Sequence, residues 1–227
     1  MATVHNYVEA GYRFTETSFD WVHRDGVKDP NSVLVVFVGA VDSQNLQALR
    51  ATFSGSVEQE MTLAHEVTGA GISYPSHHIF TLADPSFSGS VPSGTIEVTF
   101  QDTATTFNAV SVVVTGVNTG LGIDGLGNFV SAVDHHLTSV GEVSGTVSAA
   151  SGSLVIDCVT ANAGLPDSHT PGEGQELIIR APLSKTESAA MSISAKLAIN
   201  TGETGMTRTQ VTSLQSVTST AMHIYGN

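Results

Sequence analysis

The hydrophobic residues of this chain occur in short runs rich in valine, isoleucine and phenylalanine, separated by glycine, proline, aspartate and serine. The run at residues 33–39, with the sequence VLVVFVG, contains no polar side chain and follows the turn-forming residues 29–31. Its length and its β-branched residues favour a strand over a short helix. We therefore expect a strand that is buried on both faces and lies at the centre of a sheet.

A regular alternation of polar and apolar residues occurs at residues 95–100, with the sequence TIEVTF. Alternation with a period of two predicts a strand with one solvated face, and it places Ile96, Val98 and Phe100 on the inner face. Similar runs recur at residues 50–53, 61–67, 77–82, 109–117, 145–149, 153–161, 175–180, 189–198, 205–212 and 221–225. About a dozen short strands with turn residues between them predict an all-β protein, an antiparallel β-sandwich of jelly-roll type with long loops and little helix.

Two stretches carry a weak helical pattern. They are residues 43–50, in which Leu46 and Leu49 lie three positions apart, and residues 1–12. We treat both as helix candidates because apolar residues three positions apart share one face of a helix.

The chain has 227 residues, a length that β-sandwiches often reach as one domain. We expect one sandwich domain over residues 30–227, preceded by an N-terminal arm or first strand over residues 1–29. The sequence shows no internal repeat of fixed period and no proline-rich linker. The glycine-rich stretch at residues 116–128 is where two subdomains would meet, if the chain had two.

The charge balance excludes several classes of partner. Eight lysines and arginines stand against 21 aspartates and glutamates, which gives a formal net charge of −13. Such a surface repels phosphate backbones and anionic membranes, so we expect neither nucleic acid nor a membrane as a partner. No apolar run reaches the roughly 18 residues of a membrane span, and the N-terminal residues lack the pattern of a secretory signal. We therefore expect synthesis in the cytoplasm.

Cys158 is the only cysteine of the chain, and it stands in the apolar segment LVIDCV at residues 154–159. A single cysteine excludes an intrachain disulfide. Its apolar neighbours predict a buried, unreactive thiol.

Several histidines are candidate metal ligands, because imidazole commonly binds transition metals: His65, His77, His78, His135, His136, His169 and His223. Adjacent residues of a strand point to opposite faces, so neither adjacent pair can direct both rings at one ion without a bulge. We expect polar histidines at strand edges or interfaces and no metal site. If pH affects this protein, these side chains are the first whose charge would change.

The sequence contains no complete motif for a metal, a cofactor or a catalytic nucleophile. Asp124 and Asn128 lie among glycines in a stretch that resembles a calcium loop, but the alternating acidic ligands and the closing glutamate are missing. No Gly-x-Ser-x-Gly elbow between a strand and a helix is present to activate a serine. We therefore predict no catalytic residue, no metal and no cofactor, and a protein that is not an enzyme.

Three acidic residues stand in strand-like context: Asp20, Glu97 and Asp157. Paired carboxylates can cleave glycosidic bonds, but their separation is set by the fold and not by the sequence. We expect each of the three to face outward from its strand.

The N-terminal region carries an aromatic group made of Tyr12, Phe14, Phe19 and Trp21 in a chain with only 6% aromatic residues. Aromatic side chains in an arm or edge strand can anchor a neighbouring subunit, or they can attach the first strand to its own core. We name these four residues as candidate interface residues and keep core packing as the alternative.

The ordered runs at residues 34–39, 51–55, 61–63, 78–85, 94–100 and 109–117 resemble a β-sandwich family that is frequent in tailed phages and marine bacteria. The resemblance spans roughly residues 30–160. It implies a structural component of the virion, such as a capsid decoration or tail-associated protein. No functional residue is implied, because the matching positions are core strand and turn residues.

The resemblance and the composition together predict a non-enzymatic virion structural protein of a tailed bacteriophage, made in the host cytoplasm and located in the virion. Its expected partners are other virion proteins and copies of itself. A carbohydrate-binding module or receptor-binding β-sandwich is the alternative, since it uses the same fold. A glycan-cleaving enzyme on this fold is a weaker alternative that rests on analogy.

Overall fold

The structure is a computed structural model that describes residues 1–11, 16–41, 48–67, 75–104, 106–118, 130–131, 142–162, 169–183, 189–210 and 216–226. These ranges contain no helix, and the prediction of an all-β protein is confirmed. They form seventeen strands: β1 (Thr3–Glu9), β2 (Glu16–His23), β3 (Ser32–Val41), β4 (Ala48–Ser54), β5 (Glu58–Glu60), β6 (Thr62–Val67), β7 (Pro75–Ala83), β8 (Gly94–Ala104), β9 (Phe107–Thr115), β10 (Val130–Ser131), β11 (Glu142–Ala149), β12 (Leu154–Asn162), β13 (His169–Pro171), β14 (Glu176–Pro182), β15 (Ala189–Leu197), β16 (Gly202–Gln210) and β17 (Ser216–Ile224).

The strands form four antiparallel sheets. The first inner sheet has the order β1-β9-β3-β7-β6, and the first outer sheet has the order β2-β8-β4-β5. The second inner sheet has the order β10-β17-β12-β15-β14, and the second outer sheet has the order β11-β16-β13. The first half of the chain therefore builds one pair of sheets, and the second half builds the other.

The four sheets stack as layers, with the two inner sheets in the middle. One hydrophobic cluster joins the two inner sheets, and it includes Val35 and Phe37 of β3 with Ile156 and Cys158 of β12. A second cluster packs the first inner sheet on the first outer sheet, and two smaller clusters do the same in the second half. The central strands of the inner sheets are thus buried on both faces, which explains why β3 and β9 read as nearly continuous apolar runs.

Strand β3 lies at the centre of the first inner sheet, as the sequence predicts. Its residues 33–38 are fully buried. Val33 and Val35 belong to the cluster between the inner sheets, whereas Leu34 and Val36 belong to the cluster under the first outer sheet. The alternating strand β8 also behaves as predicted, because Ile96, Val98 and Phe100 are all buried under the first inner sheet.

Both halves of the chain have the strand order of a jelly roll. If β5 and β6 are counted as one strand that is interrupted at Met61, the first half has eight strands, which can be numbered 1 to 8 in chain order. In this numbering its two sheets have the orders 1-8-3-6-5 and 2-7-4-5. The second half, counted from β10, pairs its strands as 1-8-3-6-5 and 2-7-4. An eight-stranded double sheet with this order is a jelly roll. The chain is therefore two jelly rolls of the same topology, packed through their inner sheets.

Strand register confirms the equivalence of the two halves. Phe37 of β3 pairs with Ile79 of β7, and Cys158 of β12 pairs with Ile193 of β15. The fifth strand carries a bulge at the same place in each half, between Leu63 and His65 in β6 and between Leu177 and Ile179 in β14. The halves thus share register irregularities as well as strand order.

The inner sheets approach each other closely at Gly39 of β3. A Cβ atom at this position would lie 3.1 Å from Met191 Sδ, 3.3 Å from Leu183 Cδ2 and 3.4 Å from Thr160 Oγ1. By register, Thr160 is the residue of the second half that corresponds to Gly39. Because Gly39 and its counterpart Thr160 face each other, a pseudo-twofold axis that relates the two jelly rolls passes between β3 and β12.

The N-terminal segment takes part in both sheets of the first half. Strand β1 pairs with β9, and β2 pairs with β8. The helix candidate at residues 1–12 is therefore wrong, because residues 3–9 form a strand. The candidate at residues 43–50 is wrong for residues 48–50, which begin β4, and its residues 43–47 lie outside the described ranges. In both places pairing with a long-range partner strand decides the conformation.

Candidate functional site

The structure describes two of the four residues of the N-terminal aromatic group, Phe19 and Trp21. Phe19 and Trp21 are only 5% and 7% exposed, and their rings stack with centroids 5.2 Å apart. The two side chains pack into the core under the first outer sheet, in agreement with the core-packing alternative. Tyr12 and Phe14 lie outside the described ranges, so an interface role for the group stays a prediction.

A buried hydrogen-bond network joins Trp21 to the first inner sheet. Trp21 Nε1 donates to Ser111 Oγ at 3.1 Å, and His23 Nδ1 lies 2.7 Å from the same hydroxyl. His23 Nε2 lies 2.9 Å from Asn6 Oδ1, and Asn6 Nδ2 donates to the carbonyl of Arg24. Burial lowers the pKa of His23 to about 4, with a smaller contribution from His5. His23 is therefore a neutral structural residue at pH 7.

His77 and His78 point to opposite faces of β7, as strand alternation predicts. His77 is fully buried between the inner sheets and is hydrogen-bonded through Nε2 to the hydroxyl of Thr220 on β17. His78 is also buried, and its Nε2 lies 3.9 Å from a carboxylate oxygen of Glu66 on β6. The two imidazoles cannot bind one ion, because a sheet separates them.

Burial keeps these imidazoles neutral. Burial, with smaller contributions from the neighbouring His65 and His78, lowers the pKa of His77 to about 3. The pKa of His78 falls to about 4 for the same reasons, burial first and His65 second. The rings of His65 and His77 are 6.3 Å apart and share the face toward the second half. Through its hydrogen bond to Thr220, His77 forms part of the contact between the halves.

No group of three or more metal-ligating side chains occurs among the described residues. His135 and His136 lie outside the described ranges, as do Asp124 and Asn128 of the calcium-like stretch. Within the part of the chain that it describes, the structure brings His65 and His77 near each other but adds no third ligating side chain.

The three acidic candidates have two different environments. Asp20 and Glu97 are exposed and directly opposite each other on β2 and β8, on the solvent side of the first outer sheet. Asp157 is only 4% exposed, so the expectation that it faces outward is wrong. Its Oδ1 accepts hydrogen bonds from Ser194 N at 3.0 Å and from Ser194 Oγ at 2.7 Å. These hydrogen bonds from the neighbouring strand lower the free-energy cost of burying the carboxylate.

Cys158 is completely buried at the centre of the cluster between the inner sheets. The prediction of a buried thiol is confirmed. Its position makes the thiol a packing residue, since apolar side chains of both halves surround it.

A cleft of about 700 Å³ opens between β1 and β14, the edge strands of the two inner sheets. Its walls come from Ala2, from residues 3–7 of β1 and from parts of β12, β14 and β15. Val4, Leu154, Ile178 and Ala195 at its base belong to, or pack against, the cluster between the inner sheets. The cleft is therefore an open side of the central core, with polar residues at its rim.

Tyr7 points into this cleft because β1 contains a bulge. Val4 pairs with Val114, but the next pair is Asn6 with Val113, so His5 is an extra residue. After the bulge, Asn6 faces the first outer sheet, and Tyr7 pairs with Val112 on the face toward the second half. Tyr7 remains 46% exposed, because the second inner sheet ends at β14 and does not cover it.

The polar groups of the cleft are limited. Glu176 is exposed and pairs with Ala195, which places its side chain on the cleft face of β14. Lys196 lines the cleft, but its ammonium group donates to the carbonyls of Glu173 at 3.1 Å and Gly205 at 3.4 Å. Tyr7 and Glu176 carry no local sequence signal of a site, because the register between distant strands is what places them in the cleft.

The described residues contain no helix long and apolar enough to cross a membrane.

The fold defines the class of this chain as an all-β sandwich protein. No protein-family model matches the sequence. No curated protein matches it either.

Among solved structures, the chain is similar to the VP2 subviral particle of infectious bursal disease virus, with a TM-score of 0.33 and 10% identity over 100% of this chain and 42% of that chain. For T=1 particles derived from the same virus, the TM-score is 0.31 and the identity is 10%, over 100% of this chain and 40% of that one. The chain thus spans about two fifths of the length of these viral proteins.

Oxalate decarboxylase from Bacillus subtilis gives a TM-score of 0.21 with 7% identity, over 100% of this chain and 76% of the other. The similarity to viral capsid proteins is weak. Values this low assign no function to the chain.

Proposed function

We propose that this protein is a non-enzymatic structural component of a tailed-phage virion, a capsid decoration or tail-associated protein that binds copies of itself and other virion proteins. The observation that supports the proposal most is the presence of two jelly rolls of the same strand order in one chain. Jelly rolls are typical of viral capsid proteins and lectins. The resemblance of residues 30–160 to phage virion proteins points the same way.

The packing between the jelly rolls supports a structural role. Among the residues that the structure describes, the cluster between the inner sheets contains 21 buried residues. The hydrogen bond between His77 and Thr220 also joins the two sheets. An interface that is both apolar and hydrogen-bonded holds two domains in one orientation. A fixed orientation is what a component of a symmetric assembly needs, because each copy must present the same surfaces.

The edge strand β11 offers a surface for self-association. It pairs with β16 over eight residues without a register shift and has no partner on its other side among the described strands. Its outward residues include Ser144, Thr146 and Ser148, which are exposed and small. Apart from Glu142 at its first position, this long and regular edge carries no charged residue, and such an edge is a template for pairing with another strand. We infer that copies of this chain associate along β11.

The charge of the chain suits a virion component. A net charge of −13 prevents attraction to packaged DNA and keeps the free protein soluble before assembly. The outer sheets present acidic and hydroxyl-bearing side chains such as Asp20, Glu97 and Thr146. We infer that partners recognise a neutral or basic surface complementary to these sheets.

Light scattering on the full chain after size exclusion tests self-association. We expect a trimer or a larger closed oligomer whose mass is stable over about a hundredfold range of concentration. The variant Thr146→Lys places a charge on the β11 edge and should lower the mass, because charged edges block strand pairing. Ser18→Lys on the bulged edge strand β2 is the matched control and should not. A strict monomer over the whole range would contradict self-association.

A further inference from the structure

We propose that the cleft between β1 and β14 binds a neutral saccharide, with the ring of Tyr7 as the stacking platform. The proposal is independent of the virion role, since it rests only on the geometry of the cleft. Its volume of about 700 Å³ lies within the range of about 300–1,000 Å³ that small-molecule sites occupy. Such a volume accommodates one or two sugar rings.

The aromatic ring of Tyr7 supports the choice of ligand. The bulge at His5 turns Tyr7 from the first outer sheet toward the cleft, where 46% of its surface is exposed. Bulges often re-aim a side chain next to a functional site. A sugar ring has one apolar face of C–H groups, and an exposed aromatic ring that is held in a strand packs well against such a face.

The base and the rim of the cleft match the two kinds of surface that a saccharide presents. Val4, Ile178 and Ala195 provide an apolar base. Glu176 provides a carboxylate on the opposite wall from Tyr7, and a carboxylate accepts hydrogen bonds from hydroxyl groups. An amphipathic ligand with hydroxyls on its edge fits this arrangement better than a wholly apolar one.

The charges of the cleft favour a neutral ligand over an anionic one. Lys196 is the one lysine or arginine among the described lining residues, and its ammonium group is already bound to the carbonyls of Glu173 and Gly205. Because these carbonyls are neutral, Lys196 keeps its positive charge and balances the negative charge of Glu176 in the lining. A lining whose formal charges balance, and whose ammonium group is already held by carbonyls, offers no net attraction to a phosphorylated or acidic sugar.

The edges of the cleft disfavour an added peptide strand. Strand β1 is bulged between Val4 and Asn6, and β14 is bulged between Leu177 and Ile179. A bulge leaves the ladder locally irregular, so a regular strand cannot pair along either edge through this region. A ligand that binds through side chains rather than through a backbone ladder is therefore favoured.

Titration of the isotope-labelled full chain with methyl glycosides of glucose, galactose and N-acetylglucosamine, and with maltose, tests the proposal by amide chemical shifts. At least one of these sugars should shift the amides of β1 and β14, with a millimolar dissociation constant as expected for one stacked ring. Tyr7→Ala should weaken that binding by about tenfold, Tyr7→Trp should preserve it, and Glu176→Gln should weaken it less.

Val22→Ala is the matched control, because Val22 is 42% exposed on the edge strand β2 and lies away from the cleft. This variant should bind as the wild type does. The melting temperature of each variant confirms that it is folded. The proposal is overturned if none of the four sugars shifts the amides of β1 and β14, or if folded Tyr7→Ala binds as tightly as the wild type.

Discussion

His77 on β7 of the first jelly roll is hydrogen-bonded to Thr220 on β17 of the second jelly roll. The imidazole has no exposed surface, and its other nitrogen, Nδ1, has no hydrogen-bond partner among the described residues. The ring of His65 on β6 lies 6.3 Å away, and His65 and His78 are the ionisable groups that act on the pKa of His77. A charge on this ring would therefore have no carboxylate to compensate it, and protonation would oppose the contact between the halves.

Acid should destabilise the protein through its buried histidines. In the unfolded chain histidine titrates near 6.5, whereas burial lowers the pKa of His77 to about 3 and of His78 and His23 to about 4. Between these values the unfolded chain binds more protons, so the free energy of unfolding falls as pH decreases below 6.5. Each such histidine contributes a slope of about 1.4 kcal/mol per pH unit.

Urea denaturation at several pH values between 7.5 and 5 measures this slope. The variant His77→Met, which introduces the residue found at the equivalent position of the second half, should reduce the slope by the contribution of one histidine. Val22→Ala on the surface should keep the wild-type slope. If the free energy of unfolding of His77→Met depends on pH as steeply as that of the wild type, His77 is not buried in its neutral form.

Gly39 should not tolerate a large side chain. Its Cβ would already lie 3.1 Å from Met191 Sδ, and the additional methyl groups of Gly39→Val would have to displace side chains of both halves. Overpacking of this kind costs about 1–3 kcal/mol. Gly205→Val on β16 is the matched control, because a Cβ there meets no atom within 4 Å. Equal urea midpoints for the two variants would contradict the close contact of the inner sheets.

The hydrogen bonds of the Asn108 side chain should stabilise the contact between the halves. Its Nδ2 donates to Glu9 Oε1 at 2.6 Å and to the carbonyl of Pro182 at 2.7 Å, and its Oδ1 accepts from Ala109 N. Asn108→Ala leaves buried groups unpaired, which should lower the free energy of unfolding by about 1–3 kcal/mol. The exposed Asn31 gives the control variant Asn31→Ala. A loss in Asn108→Ala no larger than that in Asn31→Ala would be inconsistent with this geometry.

Cys158 should react with thiol reagents only when the protein opens. The side chain has no exposed surface and lies between the two inner sheets. Labelling with a disulfide reagent such as Ellman's reagent should therefore be slow in buffer and complete in denaturant, because the reagent needs an exposed thiolate. Gly39→Val should accelerate labelling if it separates the halves. Rapid stoichiometric labelling of the native wild type would place the thiol outside the core.

The strand pattern of this fold could be predicted because burial determines it locally. The run at residues 33–39 lacks polar side chains since β3 is covered on both faces, and residues 95–100 alternate since β8 is covered on one. The duplication could not be seen, because equivalent positions differ in chemistry. Phe37 corresponds to Cys158, and His77 corresponds to Met191.

The cleft and the buried acid depend on long-range register and could not be predicted. Tyr7 reaches the cleft only because of a bulge relative to β9, which lies about a hundred residues away along the chain. Asp157 is buried because the second outer sheet covers this face of β12, and Ser194 of the neighbouring strand supplies two hydrogen bonds to the carboxylate. Neither relationship leaves a local signal in the sequence.

The virion role is tested most directly by sedimentation of particles. Virus particles purified from the cells that make this chain should carry it in a fixed ratio to their main structural protein, measured by quantitative mass spectrometry of the particle band. Because a structural component is repeated by symmetry, many copies per particle are predicted. Recovery of the chain only in the soluble fraction, with none in the particle band, would contradict a structural role in the virion.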